Sequence, residues 1–282
     1  MRLRTSPTSL LAVACLTASV SPLEAQCEAD GDVEFVCGPV SPEDLVPVPR
    51  SPWLLVSGME DDGYLYATDT RDLTSNVLFP TQMARPRHDR ETYGSCPGPV
   101  TGGFRPHGLS LRPGDNKTHT LYVVRHGERE AIEVFEVDAG AASLRLVWVG
   151  CVVAPEGVSM NSVAALPGGG FVVTHFDFAA GRLWEWQPGD GWQQVPGSET
   201  AGPNGIVASD DGRWLLVHVI EGSSGPTELH VKDLQSDEPF VTMVKDGVTE
   251  SFAEFAGDRI VITTNHNASN RRVNRLSFLD PD

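Results

Sequence analysis

Basic residues are scarce in this chain. Its 282 residues hold 21 Lys and Arg against 38 Asp and Glu, a formal charge of −17. A nucleic-acid backbone or an anionic bilayer would meet net repulsion with no basic cluster to relieve it, which argues against both as partners. Cysteines number five, with no Cys-x-x-Cys pair and no tight Cys/His set, so a structural zinc site is not expected. No Gly-x-Ser-x-Gly elbow is present, which argues against a serine hydrolase of the α/β type. Long amphipathic helical patterns are also missing. The apolar stretch SLLAVACLTASV near the start is too short to span a bilayer comfortably.

That stretch follows Arg2 and Arg4 and precedes Leu23-Glu24-Ala25, the arrangement of a signal peptide with its cleavage site, so residues 1–25 are expected to be removed on export to a secreted or periplasmic location. Ala12 to Cys15 also reads as a lipoprotein box, although the apolar region before Cys15 is short for one. Cys27, Cys37, Cys96 and Cys151 then remain, an even number consistent with two disulfides in an oxidising compartment. Three pairings exist. Cys27 with Cys37 would be local, and Cys96 with Cys151 would tether a long insertion; the sequence does not choose among them.

What is present is strand after strand. WLLVSG, GYLYATD, TLYVVRH, AIEVFEVD, FVVTHFDF, RWLLVHV and RIVITT are among the short apolar runs separated by Gly, Asp, Asn and Pro turns. Five polar residues stand in one register, each just before a short apolar run, a turn and an extended strand: Glu43, His107, Asn161, Asn204 and Glu250. Their spacings are 64, 54, 43 and 46, the last two close to the period of a four-stranded blade and the first two lengthened by inserted loops. Residues 80–106, rich in Pro, Gly and charge with no apolar periodicity, supply the longer one. The fold class is therefore all-β, a β-propeller with five visible repeats. Residues 26–282 form one domain, with DVEFVCG before the first repeat expected to complete the last blade and close the ring.

In such a fold the innermost strand of each blade starts beside the central channel, so the five residues would converge on one axial site. Two carboxylates, two carboxamides and an imidazole offer mostly oxygen donors, which suit calcium better than zinc. Taken singly, Asn204-Gly205 reads as a hairpin turn and Asn161 and Glu250 as solvated strand ends. Their shared register is what points to a site.

FRPHGLS followed by LYVVRHGEREAIEVFEVD, then MNSVAAL, PNGIVASDDG and the early SPEDLVPVP resemble the paraoxonase/arylesterase family, related to the gluconolactonase and senescence-marker propellers. The resemblance runs from about Glu43 to His266 and implies a propeller, six-bladed in that family, with a catalytic calcium in its channel. Carried over, Glu43, Asn161 and Asn204 match calcium ligands, and Glu250 takes the place of a family Asp. Asp44 matches a ligand of a second, structural calcium, but Ser162 and Ser251 stand where the family has an acidic residue and an Asn. The implied chemistry is hydrolysis of a small ester or lactone, and the chain is expected to be a monomer. His107 would be the base and His126, nineteen residues on, its dyad partner. His266 matches a family pocket histidine, and His175 with Asp177 forms a local pair that also reads as a polar strand end. A non-catalytic binding propeller and a propeller of the strictosidine-synthase type are the other classes that these features admit.

Overall fold

Gly, Asp, Asn or Pro bounds nearly every apolar run, so the chain reverses after each strand and the strands pair with their neighbours in sequence. The computed structural model describes residues 29–81, 86–220, 225–245 and 247–277. Within them lie five antiparallel sheets arranged as the blades of a β-propeller. Blade one is β1 (Pro42–Pro47), β2 (Trp53–Gly58), β3 (Leu65–Asp69) and β4 (Thr74–Phe79). Blade two is β5 (Phe104–Arg112), β6 (Thr118–Gly127), β7 (Ala131–Asp138) and β8 (Arg145–Val153). Blade three is β9 (Met160–Ala165), β10 (Phe171–His175), β11 (Arg182–Gln187) and β12 (Gly191–Gln194). Blade four is β13 (Pro203–Ala208), β14 (Trp214–Ile220), β15 (Thr227–Asp233) and β16 (Val241–Val244). Blade five is β17 (Ser251–Ala256), β18 (Arg259–Thr264) and β19 (Arg272–Ser277). Among the described residues no helix is long and apolar enough to cross a membrane.

The first strand of every blade is the innermost. β1, β5, β9 and β13 each pack beside the next blade's first strand, ending at β17. All five line a central channel of about 940 Å³. Blade two lies between neighbours on both faces, which is why its strands read as unbroken apolar runs: Leu121 to Val124 and Ile132, Val134 and Phe135 are fully buried. In blade five the pattern alternates, with Ser251 and Ala253 buried and Phe252 and Glu254 exposed on β17, as in a sheet packed on one face.

Two expectations from the sequence are corrected. Residues 32–38 add no strand to the last blade. The chain turns back at Gly31 (φ 61°), and Asp30 and Val33 exchange backbone hydrogen bonds at 3.0 Å, so this segment pairs with itself and leaves Val33 and Phe35 exposed. The last sheet accordingly has three strands among the described residues. The long insertion also ends earlier than its composition suggested, because Phe104 to Pro106 already belong to β5. Residues 1–25, assigned above to a signal peptide, and Cys27 lie outside the described residues, while Cys37 is disulfide-bonded.

The insertion is docked on blade two. Cys96 is joined to Cys151 of β8 by a disulfide. The Arg87 and Asp89 backbone N–H groups donate to Trp148 and Val149 at 2.9 and 2.8 Å. Tyr93 packs on Gly150, where a Cβ would stand 2.4 Å from its ring. Beneath lies a buried charge cluster. The Glu133 carboxylate accepts from Arg129 Nη2 (2.7 Å), Arg125 Nη1 (3.3 Å) and Trp148 Nε1 (2.7 Å). Both guanidinium groups also reach the insertion, Arg125 donating to the Gly103 carbonyl at 2.6 Å and Arg129 to the Gly98 carbonyl at 3.0 Å. Glu133 thus faces two cations and orients a Trp. Removing one partner of a buried pair leaves the other unpaired, so Glu133→Gln is expected to cost roughly 3–5 kcal/mol in urea unfolding. A loss below about 1 kcal/mol would show that water, not Glu133, satisfies Arg125.

Candidate functional site

Four of the five inner strands carry a β-bulge, and each bulge falls on a residue that the repeat register singled out. Two residues face one on the neighbouring strand: Glu43 and Asp44 oppose Ser57, His107 and Gly108 oppose Val124, Asn161 and Ser162 oppose Thr174, and Asn204 and Gly205 oppose His218. A bulge frees one residue from the ladder and re-aims its side chain. Gly108 is required by the packing, since a Cβ there would stand 2.6 Å from the Asn161 carbonyl oxygen. That contact seats the His107 turn directly against Asn161.

The backbone groups loosened by the bulges are satisfied by the residues opposite them. Asp44 N–H donates to Ser57 Oγ at 3.0 Å and Ser162 N–H to Thr174 Oγ1 at 2.9 Å. Thr174 Oγ1 in turn donates to the Asn204 carbonyl at 2.8 Å, tying blade three to blade four. Asp44 crosses from blade one to blade two, where its Oδ2 accepts the Leu109 N–H at 2.7 Å. Burial pushes the Asp44 carboxyl above the ordinary carboxylate range, the Leu109 and Leu45 N–H groups pull it back, and nearby Glu43 adds repulsion.

Glu43, His107 and His126 form a contiguous row. His107 Nε2 lies 3.1 Å from Glu43 Oε1, and its Nδ1 lies 2.9 Å from His126 Nε2. The row continues through His126 Nδ1 to Glu130 Oε2 at 2.8 Å, and Glu130 Oε1 accepts the Met160 N–H of blade three at 2.6 Å. Burial, foremost, holds His107 below the usual imidazole range; Glu43 opposes this and His126 reinforces it. Glu130 was not singled out by the sequence reading. Its signal was local: four residues after His126 and across the Gly127 turn, a side chain can return to the strand end it has just left.

Glu250 differs from the other four. It stands before β17, whose pairing with β18 is regular from Ser251–Thr264 onward, and its carboxylate accepts from Arg271 at 2.7 Å. Ser251 Oγ donates to Thr264 Oγ1 within the blade. His175 Nδ1 bonds the Ser159 backbone, and Asp177 accepts the Ala179 and Ala180 N–H groups, so both shape a turn. His266 follows β18, its N–H on Thr264 Oγ1. Among the described residues no three His, Cys, Asp or Glu side chains form a metal-binding group. The oxygen-only set of Glu43, Asn161 and Asn204, on equivalent bulges of three inner strands, nonetheless suits a hard cation; Glu250 would have to exchange Arg271 to join it.

A second residue that the sequence reading passed over is His218. It opposes the Asn204–Gly205 bulge, lines the channel and accepts the Ala253 N–H on Nε2 at 3.0 Å, linking blade four to blade five. Burial lowers it to about 4.

Residues 199–282 match the family model for the prolyl oligopeptidase N-terminal β-propeller domain, less than a third of the chain. No curated protein matches it in sequence. Among solved structures, a prolyl endopeptidase aligns with TM-score 0.51 and 13% identity over 86% of this chain, which spans only 35% of that one. A structure of a nidogen/laminin complex aligns with TM-score 0.53 and 8% identity over 87% of this chain and 83% of that one. A puromycin hydrolase mutant aligns with TM-score 0.50 and 16% identity over 84% and 37%. At such identities the likeness is one of fold, and the fold is a β-propeller.

The His218 environment gives a pH dependence of stability. Unfolded, the ring titrates near the ordinary value of about 6.5; folded, it does so near 4. Between these values unfolding takes up a proton, so stability present above pH 6.5 is lost as pH falls toward 4, by on the order of 3 kcal/mol. His107, His119 and His230 are also held low and steepen the loss. In His218→Gln, whose amide can still accept the Ala253 N–H, the slope of unfolding free energy between pH 4.5 and 6.5 should fall by up to about 1.4 kcal/mol per pH unit. Superimposable slopes for the two proteins would refute this.

Proposed function

We propose that this chain is a calcium-dependent hydrolase of small esters or lactones, as its resemblance to the paraoxonase/arylesterase family implies. The observation that carries the reading is the hydrogen-bonded row Glu43–His107–His126 beside a channel lined by all five inner strands. Glu43, Asn161 and Asn204 would hold the ion, with Glu250 joining only after release from Arg271. When bound, calcium supplies positive charge that polarises the substrate carbonyl.

The chain's own residues do the proton work. His107 Nε2, largely neutral because burial disfavours its cation, takes one proton from water. The hydroxide bonds to the acyl carbon, the carbon–oxygen bond to the alcohol breaks, and the proton on Nε2 passes to the departing alkoxide. His126 holds Nδ1 of His107 and orients the ring. A binding propeller without catalysis is the second reading, favoured by the engagement of Glu250 with Arg271.

Purified protein is expected to hydrolyse phenyl acetate or five- and six-membered lactones with calcium and to lose that activity with chelator. Its thermal midpoint should rise on adding calcium, because ligands from separate blades tie the ring together. His107→Gln should lower turnover about 100-fold or more while leaving the calcium effect on the midpoint in place. Calcium stabilisation without activity across the panel would favour the binding propeller, and neither effect would remove the ion from the account.

A further inference from the structure

Four groups stand in one hydrogen-bonded row, with a carboxylate at each end and two imidazoles between. Ionised carboxylates only accept, so the row can be protonated in two opposite directions. If Glu130 accepts a hydrogen bond from His126 Nδ1–H, neutral His126 has its lone pair on Nε2. His107 must then donate from Nδ1, which leaves the lone pair on His107 Nε2 facing Glu43. If Glu43 instead accepts a hydrogen bond from His107 Nε2–H, the bond between the two rings reverses, His126 is left with its lone pair on Nδ1 facing Glu130, and His107 has no lone pair at the position facing Glu43. Both carboxylates thus compete for the orientation of two rings.

Geometry favours the Glu130 end. Its contact with His126 is 2.8 Å, against 3.1 Å between His107 and Glu43. Its other oxygen is fixed by the Met160 N–H at 2.6 Å, so its position is set by blade three. Glu43 has no comparable anchor in the row, and its side chain is 47% exposed against 27% for Glu130. We propose that Glu130 is a positioning residue that fixes His126 in the Nδ1–H tautomer and so presents His107 Nε2 as the proton-accepting atom. The consequence for hydrolysis rests on the function proposed above; the tautomer assignment does not.

The ring tautomers are read directly from ¹⁵N NMR of histidine-labelled protein at pH 8, with and without calcium chloride. In the wild type His126 should show a protonated Nδ1 and an unprotonated Nε2 in both conditions. A protonated Nε2 on His126 in the wild type overturns the assignment without recourse to any variant. In Glu130→Gln the preference should weaken, kcat should fall by about 100-fold or more with KM within about threefold, and the conservative Glu130→Asp should recover part of kcat. An unchanged His126 tautomer in Glu130→Gln also overturns the proposal. If the wild type lacks esterase and lactonase activity the function fails, but the NMR measurement still decides the role of Glu130.

Discussion

The inner edge of each blade is the constraint on which the rest of this molecule depends. An innermost strand has a ladder partner on one side and the channel on the other, so its outward N–H and C=O groups need partners that no strand provides. Here side chains reaching between blades meet part of that need. Asp44 accepts from Leu109, Ser110 Oγ accepts the Ala165 N–H at 2.9 Å, Thr174 donates to Asn204, and His218 accepts from Ala253. Each of the four pairs of blades consecutive along the chain is joined by at least one such bond. Apolar packing between sheets supplies area, but these polar bonds set the rotation of each blade relative to the next.

The same device builds the candidate site. A bulge at the channel end of an inner strand leaves one residue out of the ladder, and the residue opposite must satisfy the displaced backbone. Ser57, Thr174 and His218 do this in blades one, three and four. The displaced residues are Glu43, Asn161 and Asn204, joined by His107 from blade two. Polar groups gather at one end of the channel because the backbone irregularity recurs there. Blade five lacks the bulge, and Glu250 is correspondingly drawn away to Arg271.

This explains what could be read from the sequence. The five blades and the shared register of Glu43, His107, Asn161 and Asn204 were legible because strand, turn and polar strand start recur from repeat to repeat. His218 was not legible, because its partner Ala253 belongs to the next blade; Glu130 carried a local signal four residues after His126, but its anchor on the Met160 N–H lies in the next blade and no local pattern announces it. The misplacement of residues 32–38 has the same origin. DVEFVCG has the composition of a strand, but the turn at Gly31 and the Asp30–Val33 bridge give its backbone a nearer partner.

Blade two carries the heaviest structural load, and this bears on the chemistry. Its β6–β7 hairpin holds the Arg125–Glu133–Arg129 cluster and β8 the disulfide to the insertion, while the channel end of its first two strands holds the histidine pair. Arg125 and His126 are consecutive on β6, so their side chains leave the strand on opposite faces. One is clamped in the buried cluster and the other is turned to His107. The rigidity of the buried cluster is thereby passed through a single peptide unit to the ring whose orientation decides where the lone pair lies. A perturbation of Glu133 therefore reaches the channel mouth through the placement of the β6 backbone, since Glu133 and Glu130 serve opposite faces of the same hairpin.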